Sequence, residues 1–121
     1  IPGAGGIFRL SRQIPLKKAM GYLLTGRTIS ATKALELGLI NDVVSKKDLD
    51  KCVNDWIDDI LTSAPLSINA IKDIINNSQD LTLQEAMSKE YYWENLRKSS
   101  SDAKEGAMAF SSGRKPKWSG A

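Results

Sequence analysis

The 121-residue sequence contains no histidine and only one cysteine. Without histidine the chain cannot build a Ser-His-Asp or Cys-His nucleophile system, nor a zinc site with histidine ligands, and one thiol excludes an all-cysteine zinc site. We therefore expect no metal centre. The single cysteine, Cys52, can form no disulfide within the chain. Unpaired cysteine is typical of a reducing compartment, so we expect a cytoplasmic protein.

Long hydrophobic runs are missing as well. No stretch of 18 apolar residues occurs, which excludes a transmembrane helix, and we expect no membrane partner. The 17 Lys and Arg residues against 14 Asp and Glu leave a net charge of +3. The basic residues are spread along the chain, with the densest group near the end at Arg114, Lys115 and Lys117. This spread favours a solvated surface over a nucleic-acid-binding one, so we expect no nucleic-acid partner.

Proline and glycine mark several predicted helix ends. Pro15 and Pro65 favour the first turn of a helix, and Gly26 and Gly38 favour helix ends. Only the segment 39–44 suggests a strand. It is short, it contains β-branched residues, and turn signals flank it. One strand cannot stand alone, so the chain is predicted to be mostly α-helical, with at most one or two short strands.

The strongest helical signal follows Asp48, which we interpret as an N-cap. Apolar residues recur there at spacings of three and four, as expected for one buried helix face. They are Leu49, Cys52, Val53, Trp56, Ile57, Ile60 and Leu61. The pattern predicts that Trp56 belongs to the core. Phe110 also lies on an apolar stripe, and its residue pattern predicts a core position too.

Two sequences match the capping box, in which a short polar residue precedes a glutamate by three positions. The pair Thr82 and Glu85 predicts a helix that runs to about Arg97. The pair Asp102 and Glu105 predicts the start of the last helix. The three serines at 99–101 between these helices are interpreted as a linker, and the tail 111–121 as irregular.

The run Tyr91-Tyr92-Trp93 points large aromatic groups in three directions around a helix. One core-facing stripe cannot bury them all, so we interpret the run as a subunit interface, with a ligand wall as the alternative. The glycine-rich opening at Gly3 could present N–H groups to a ligand at a helix N-terminus, but a tight turn fits its spacing better. The first residue is Ile1, and we expect a piece of a longer polypeptide.

Five segments, in order, resemble the C-terminal part of the crotonase superfamily, the enoyl-CoA hydratases and isomerases. They are IPGAGG with Arg9, Leu10 and Arg12; LLTGRTISATKALELGLINDVV at 23–44; SAPLSINAIK at 63–72; SSDAKEGAMAF at 100–110; and RKPKWSG at 114–120. The segments IFRLSRQIP and PKWSG are most similar to the carnitinyl-CoA dehydratase type.

The resemblance implies a C-terminal helical segment of an α/β fold whose core is a spiral of ββα turns. Residues 1–45 would end that core, with helices and a short strand, and residues 46–121 would form a helical oligomerisation region. The family stabilises an acyl-CoA enolate in an oxyanion hole, and its hydratases use two glutamates. In the family pattern these elements precede IPGAGG, so the chain is expected to be inactive alone. No cofactor is implied, since the coenzyme A thioester is the substrate.

The resemblance also assigns roles to individual residues. Gly3 matches a glycine whose backbone N–H helps to hold the catalytic water. Phe110 matches an aromatic at the coenzyme A edge. Gly113 stands where some hydratases place a lysine for a coenzyme A phosphate, and Arg114 or Lys115 could replace it.

The implied function is the C-terminal portion of an acyl-CoA hydratase, dehydratase or isomerase that contributes a pocket wall and subunit contacts. We expect acyl-CoA as the partner of the full-length protein, and self-association as a dimer or trimer. The alternative function is a stand-alone, non-catalytic helical oligomerisation or interaction module.

Overall fold

A computed structural model of the protein describes residues 2–121; Ile1, where the IPGAGG motif begins, lies outside the described residues. Within residues 2–121 there are eight α-helices, one 3₁₀ turn and no strand. The elements are α1 (Gly6–Gln13), α2 (Leu16–Thr25), α3 (Ala31–Glu36), the 3₁₀ turn (Lys46–Asp48), α4 (Leu49–Leu61), α5 (Pro65–Ser78), α6 (Leu83–Ser88), α7 (Tyr92–Ser99) and α8 (Ser101–Ser111). The mostly α-helical prediction is confirmed. No helix in this part of the chain is long and apolar enough to span a bilayer.

The strand predicted at residues 39–44 does not form in the described chain, and that expectation is wrong. Gly38 adopts a left-handed φ of 74° after α3, so the N–H of Leu39 turns back to the carbonyl of Ala34 at 2.9 Å. This closes the helix end with the Schellman-type geometry that glycine favours. The segment that follows has no neighbouring strand within residues 2–121 to pair with, and it stays irregular.

The chain divides into two compact units, Ile1–Cys52 and Val53–Ala121. In the first unit α1 packs against α2, and the buried residues are Ile14 and Ala19. Gly26 ends α2 in the left-handed conformation, as predicted, with its N–H bonded to the carbonyl of Tyr22 at 2.9 Å. Pro15 precedes α2 by one position rather than opening it. The functional division predicted at residues 45 and 46 stays a prediction.

In the second unit α5 packs against α7, and α7 against α8. Pro65 opens α5 as predicted. The buried apolar side chains of this unit are small, apart from one tyrosine: Ala64, Ala70, Tyr91 and Ala109. The prediction that Trp56 and Phe110 belong to the core is wrong, because their side chains are 43% and 89% exposed. The apolar face of α4 is present as predicted from its periodicity, but it is largely solvent-exposed.

The capping box at Thr82 and Glu85 is confirmed. The hydroxyl of Thr82 accepts from the N–H of Glu85 at 3.3 Å, and a carboxylate oxygen of Glu85 accepts from the N–H of Thr82 at 2.9 Å. The helix ends at Ser88, however, rather than near Arg97. Tyr91 is extended and buried, and its hydroxyl donates to the carbonyl of Ala86 at 3.0 Å, so the chain breaks there before α7 begins.

Two predictions about the start of α8 are wrong: the capping box at Asp102 and Glu105, and the serine linker. Ser100 is the N-cap of α8: its hydroxyl accepts from the N–H of Ala103 at 3.1 Å and donates to the carbonyl of Arg97 at 2.7 Å. Ser100 is buried, so the serines lie in a tight helix junction. Asp48 is no N-cap either, since it lies inside the 3₁₀ turn that leads directly into α4.

Candidate functional site

Asp102, in the first turn of α8, binds the end of the chain. One of its carboxylate oxygens accepts from the N–H and the hydroxyl of Ser119, at 2.7 and 2.8 Å, and the other accepts from the N–H of Gly120 at 2.9 Å. Asp102 is buried. The hydrogen bond from the Ser119 backbone is the main cause that lowers the pKa of this carboxyl, against the opposing effect of burial.

Glu105 lies one turn further along α8 and binds the same tail. The guanidinium of Arg114 donates two hydrogen bonds to its two oxygens, at 2.6 and 2.8 Å, and the N–H of Lys117 donates a third at 2.8 Å. Together these donors, with Arg114 first, lower the pKa of Glu105 to about 2. A bidentate Arg–carboxylate pair fixes orientation as well as distance, so the tail is held in one position.

The tail also contacts the helices through Trp118. Its indole N–H donates to the carbonyl of Thr62 at 2.7 Å, just after α4 ends. Its ring lies so close to α8 that a β-carbon placed on Gly106 would be 3.3 Å from it. The tail predicted as irregular from residue 111 has no regular secondary structure apart from Ser111, which ends α8. Residues 112–121 form a defined strap across the second unit.

Asp102, Glu105 and the strap surround an open cleft of about 560 Å³, which Met108, Arg114 and Lys117 also line. Two carboxylates beside a cleft are the arrangement that acid–base catalysis uses. Here both oxygens of each carboxylate accept hydrogen bonds, and both pKa values are lowered. The hydrogen bonds from the tail favour the ionised form of both groups, so this pair fits a structural anchor for the tail better than an acid–base pair.

The residues predicted at the coenzyme A edge lie next to this strap. Phe110 is in the last turn of α8 with its ring exposed, and Gly113 turns the chain with a φ of 62°. The guanidinium of Arg114 is occupied by Glu105. Lys115 is exposed, and within residues 2–121 its ammonium group has no hydrogen bond or ion pair. Of the three residues predicted to contact coenzyme A, Phe110 and Lys115 therefore remain accessible to a ligand. Their role stays a prediction.

The glycine-rich opening forms a tight turn, as its spacing indicates. The carbonyl of Gly3 accepts from the N–H of Gly6 at 3.0 Å, and Ala4 and Gly5 have positive φ values of 51° and 77°. Gly3 is exposed, and a β-carbon there would meet nothing within 4 Å. Its proposed contact with a catalytic water stays a prediction.

The aromatic run is separated into three environments. Tyr91 is buried in its own unit, Trp93 is half-buried, and Tyr92 is 67% exposed. The rings of Tyr92 and Trp93 meet edge to face, with centroids 5.3 Å apart. The three residues thus do not present one continuous surface, and Tyr92 is the member available to another chain.

The family model for enoyl-CoA hydratase/isomerase matches residues 1–121. The chain belongs to this family. It is 35% identical to a carnitinyl-CoA dehydratase from Proteus mirabilis, over 99% of this chain and 48% of that protein. Enoyl-CoA hydratases from Mycobacterium marinum and Mycobacterium tuberculosis have similar structures. The M. marinum structure has a TM-score of 0.86 at 32% identity, and the match covers 100% of this chain and 48% of that one. The M. tuberculosis structure has a TM-score of 0.85 at 33% identity, and the match covers 98% of this chain and 47% of that one.

The chain therefore spans about half the length of the relatives it matches. The resemblance to the C-terminal part of crotonase-superfamily proteins is confirmed, as is the helical character of this segment. Within this member of the family, sequence reasoning missed the anchoring by Asp102, Glu105 and Trp118. The Asp-x-x-Glu pattern at 102–105 matches a helix cap in the sequence, and nothing in the sequence links it to a tail 17 residues away.

Proposed function

We propose that the protein is the C-terminal portion of an acyl-CoA hydratase, dehydratase or isomerase, and that it contributes one wall of the acyl-CoA pocket. The observation that carries this proposal is the family match along the whole chain combined with its coverage of about half of each relative. Phe110 and Lys115 support it further, since an exposed aromatic ring and, five residues later in the chain, an unpaired cation suit a ligand that joins apolar and anionic groups.

The proposal includes that this chain does not hydrate acyl-CoA alone. Hydration requires a proton donor and acceptor tuned near the working pH, and donors aimed at the enolate oxygen. The carboxylate pair of Asp102 and Glu105 is held ionised by the tail. We expect the purified 121-residue chain to hydrate crotonyl-CoA no faster than buffer. A rate proportional to chain concentration would contradict this.

A chimera tests the proposed role directly. This chain would replace the corresponding half of the Proteus mirabilis carnitinyl-CoA dehydratase, and dehydration of carnitinyl-CoA would be measured. Activity in the chimera, reduced by Phe110→Ala but not by the matched exposed change Met108→Ala, supports a contribution to the pocket. A folded chimera without activity favours the stand-alone interaction module instead.

We also propose that the chain associates with itself. Val53, Ile57 and Ile60 lie at helical spacing on one face of α4 and are all exposed. Burying apolar surface stabilises by about 25 cal/mol per Å², so such faces usually meet a partner. A dimer or trimer would cover them. Sedimentation of the purified chain at micromolar concentration tests this, and a single monomeric species would contradict it.

The single cysteine supports a reducing compartment, and we propose the cytoplasm. Cys52 of the protein isolated from cells under acid quench should then react with a thiol reagent after unfolding. Loss of that reactivity through a mixed disulfide would contradict the assignment.

A further inference from the structure

Acidic residues are scarce in the first third of the chain, so the net positive charge is concentrated there. Residues 1–41 hold six Lys and Arg and a single Glu, a balance of +5. The remaining 80 residues hold 11 Lys and Arg against 13 Asp and Glu, a balance of −2, which accounts for the total of +3. The basic residues themselves are spread along the chain, and it is the acidic residues that are scarce in residues 1–41. The first unit therefore carries a strong local positive potential.

Three of these cations line one cleft of about 520 Å³ within the first unit. Lys17 and Lys18 lie in the first turn of α2, and Arg27 directly follows the glycine that ends it. The other lining residues are Gly21, Tyr22, Thr25 and Thr28. No carboxylate lines the cleft. Its volume is in the range of small-molecule sites.

The side chains of these cations have no partner among residues 2–121: none of Lys17, Lys18 and Arg27 forms an ion pair or a side-chain hydrogen bond. The one carboxylate in this stretch, Glu36, already pairs with Lys33. The three positive charges around this cleft repel one another. A bound anion would offset that repulsion.

The turn that presents Arg27 is ordered by its own hydrogen bonds. Gly26 adopts a φ of 65°, which reverses the chain at the end of α2. The hydroxyl of Thr25 donates to the carbonyl of Gly21 at 2.6 Å and accepts from the N–H of Arg27 at 3.4 Å. The backbone at one wall of the cleft is thus defined, while the long cationic side chains remain able to adjust to a ligand.

We propose that this cleft binds the phosphate group of a small phosphate ester. A guanidinium presents paired donors that match phosphate oxygens, and two ammonium groups add point charges. Thr28 and Tyr22 also line the cleft, and a threonine hydroxyl can donate a further hydrogen bond to a phosphate oxygen. Three cations without a carboxylate suit a dianion better than a monoanion.

The test is a titration of the 121-residue chain with inorganic phosphate, followed by NMR of backbone amides. We expect saturable shifts confined to Gly21, Thr25, Arg27 and Thr28. Arg27→Gln should weaken binding about tenfold, the effect of losing one charged hydrogen-bonding partner. The double change Lys17→Gln with Lys18→Gln should weaken it at least as much, with helicity by circular dichroism unchanged.

The matched control removes two cations of the same unit that lie outside the cleft, Lys46→Gln with Lys47→Gln. It should leave phosphate affinity within twofold, because neither residue lines the cleft and the field of exposed charges is screened at 0.15 M salt. An equal loss in this control would show a general charge effect and overturn the proposal, as would shifts that never saturate.

A second arm distinguishes free phosphate from an ester. Adenosine 5′-monophosphate should shift the same amides and also the Tyr22 ring, with tighter binding than inorganic phosphate, whereas adenosine should shift neither. Equal binding by adenosine would mean recognition of the base, and saturation only by an RNA oligonucleotide would mean an extended surface. Either result contradicts a phosphate-ester site.

Discussion

Arg114 and Glu105 are joined by two parallel hydrogen bonds of 2.6 and 2.8 Å, between the tail and α8. The family resemblance offered Arg114 as a ligand for a coenzyme A phosphate. In the structure, the guanidinium of Arg114 is instead paired with the carboxylate of Glu105 in the same chain. Lys115, one residue further on, is then the better candidate for such a contact.

The first prediction concerns pH. The pKa of Glu105 falls from 4.5 to about 2 in the folded chain, and that of Asp102 is lowered as well. A lowered folded-state pKa contributes stability that is fully present above the unfolded pKa and is lost as the pH falls through the folded pKa. Anchoring of the tail should therefore be constant above about pH 5 and weaken between about pH 4.5 and 2.

The emission of Trp118 measures this loss, in a background with Trp56→Phe and Trp93→Phe. Glu105→Gln should flatten the transition, because the titrating group is gone. An unchanged acid transition in that variant would assign it to other carboxylates.

The second prediction concerns proteolysis of the tail. Glu105→Gln loses the charge that holds Arg114, so the strap should open more often and trypsin should cleave after Lys117 several-fold faster. Mass spectrometry of the released peptide measures the rate. Glu90→Gln is the matched control, since Glu90 is an exposed carboxylate outside the strap, and it should leave cleavage unchanged. Equal acceleration in both variants would contradict the anchoring role.

The third prediction concerns the start of α8. Ser100→Ala removes the N-cap acceptor of Ala103 and should lower the free energy of unfolding by about 1 kcal/mol. Ser99→Ala provides the comparison, because its exposed hydroxyl only donates to carbonyls inside α7 and should cost about 0.5 kcal/mol or less. Urea unfolding followed by circular dichroism measures both. Equal effects would mean that the serines act as a linker after all.

The fourth prediction separates folding from association in the aromatic run. Tyr91→Ala empties a buried site and should lower the free energy of unfolding by about 3 kcal/mol. Tyr92→Ala should leave that energy within about 0.5 kcal/mol, yet reduce the sedimenting mass if Tyr92 meets another chain. Unchanged mass in Tyr92→Ala, with an assembly still present, would place the contact elsewhere, for example on the exposed face of α4.

The sequence by itself determined the features that depend on neighbouring residues. The capping box at Thr82 and the glycine ends at Gly26 and Gly38 were predictable because their hydrogen bonds span three to five positions. The family motifs were equally readable, since they are strings of residues. Even the exposed face of α4 was visible as a periodic pattern, although the sequence could not say that this chain leaves it uncovered.

Only the tertiary structure decided which groups meet across long separations. Asp102 and Glu105 look like a cap in the sequence, but the tail supplies better donors 9 to 18 residues away, and Ser100 caps the helix instead. Lys17 and Arg27 are ten positions apart and converge only because α2 ends at a left-handed glycine. Such contacts depend on how the helices pack and where the chain passes back over them. The conformational preferences of neighbouring residues carry no information about that packing.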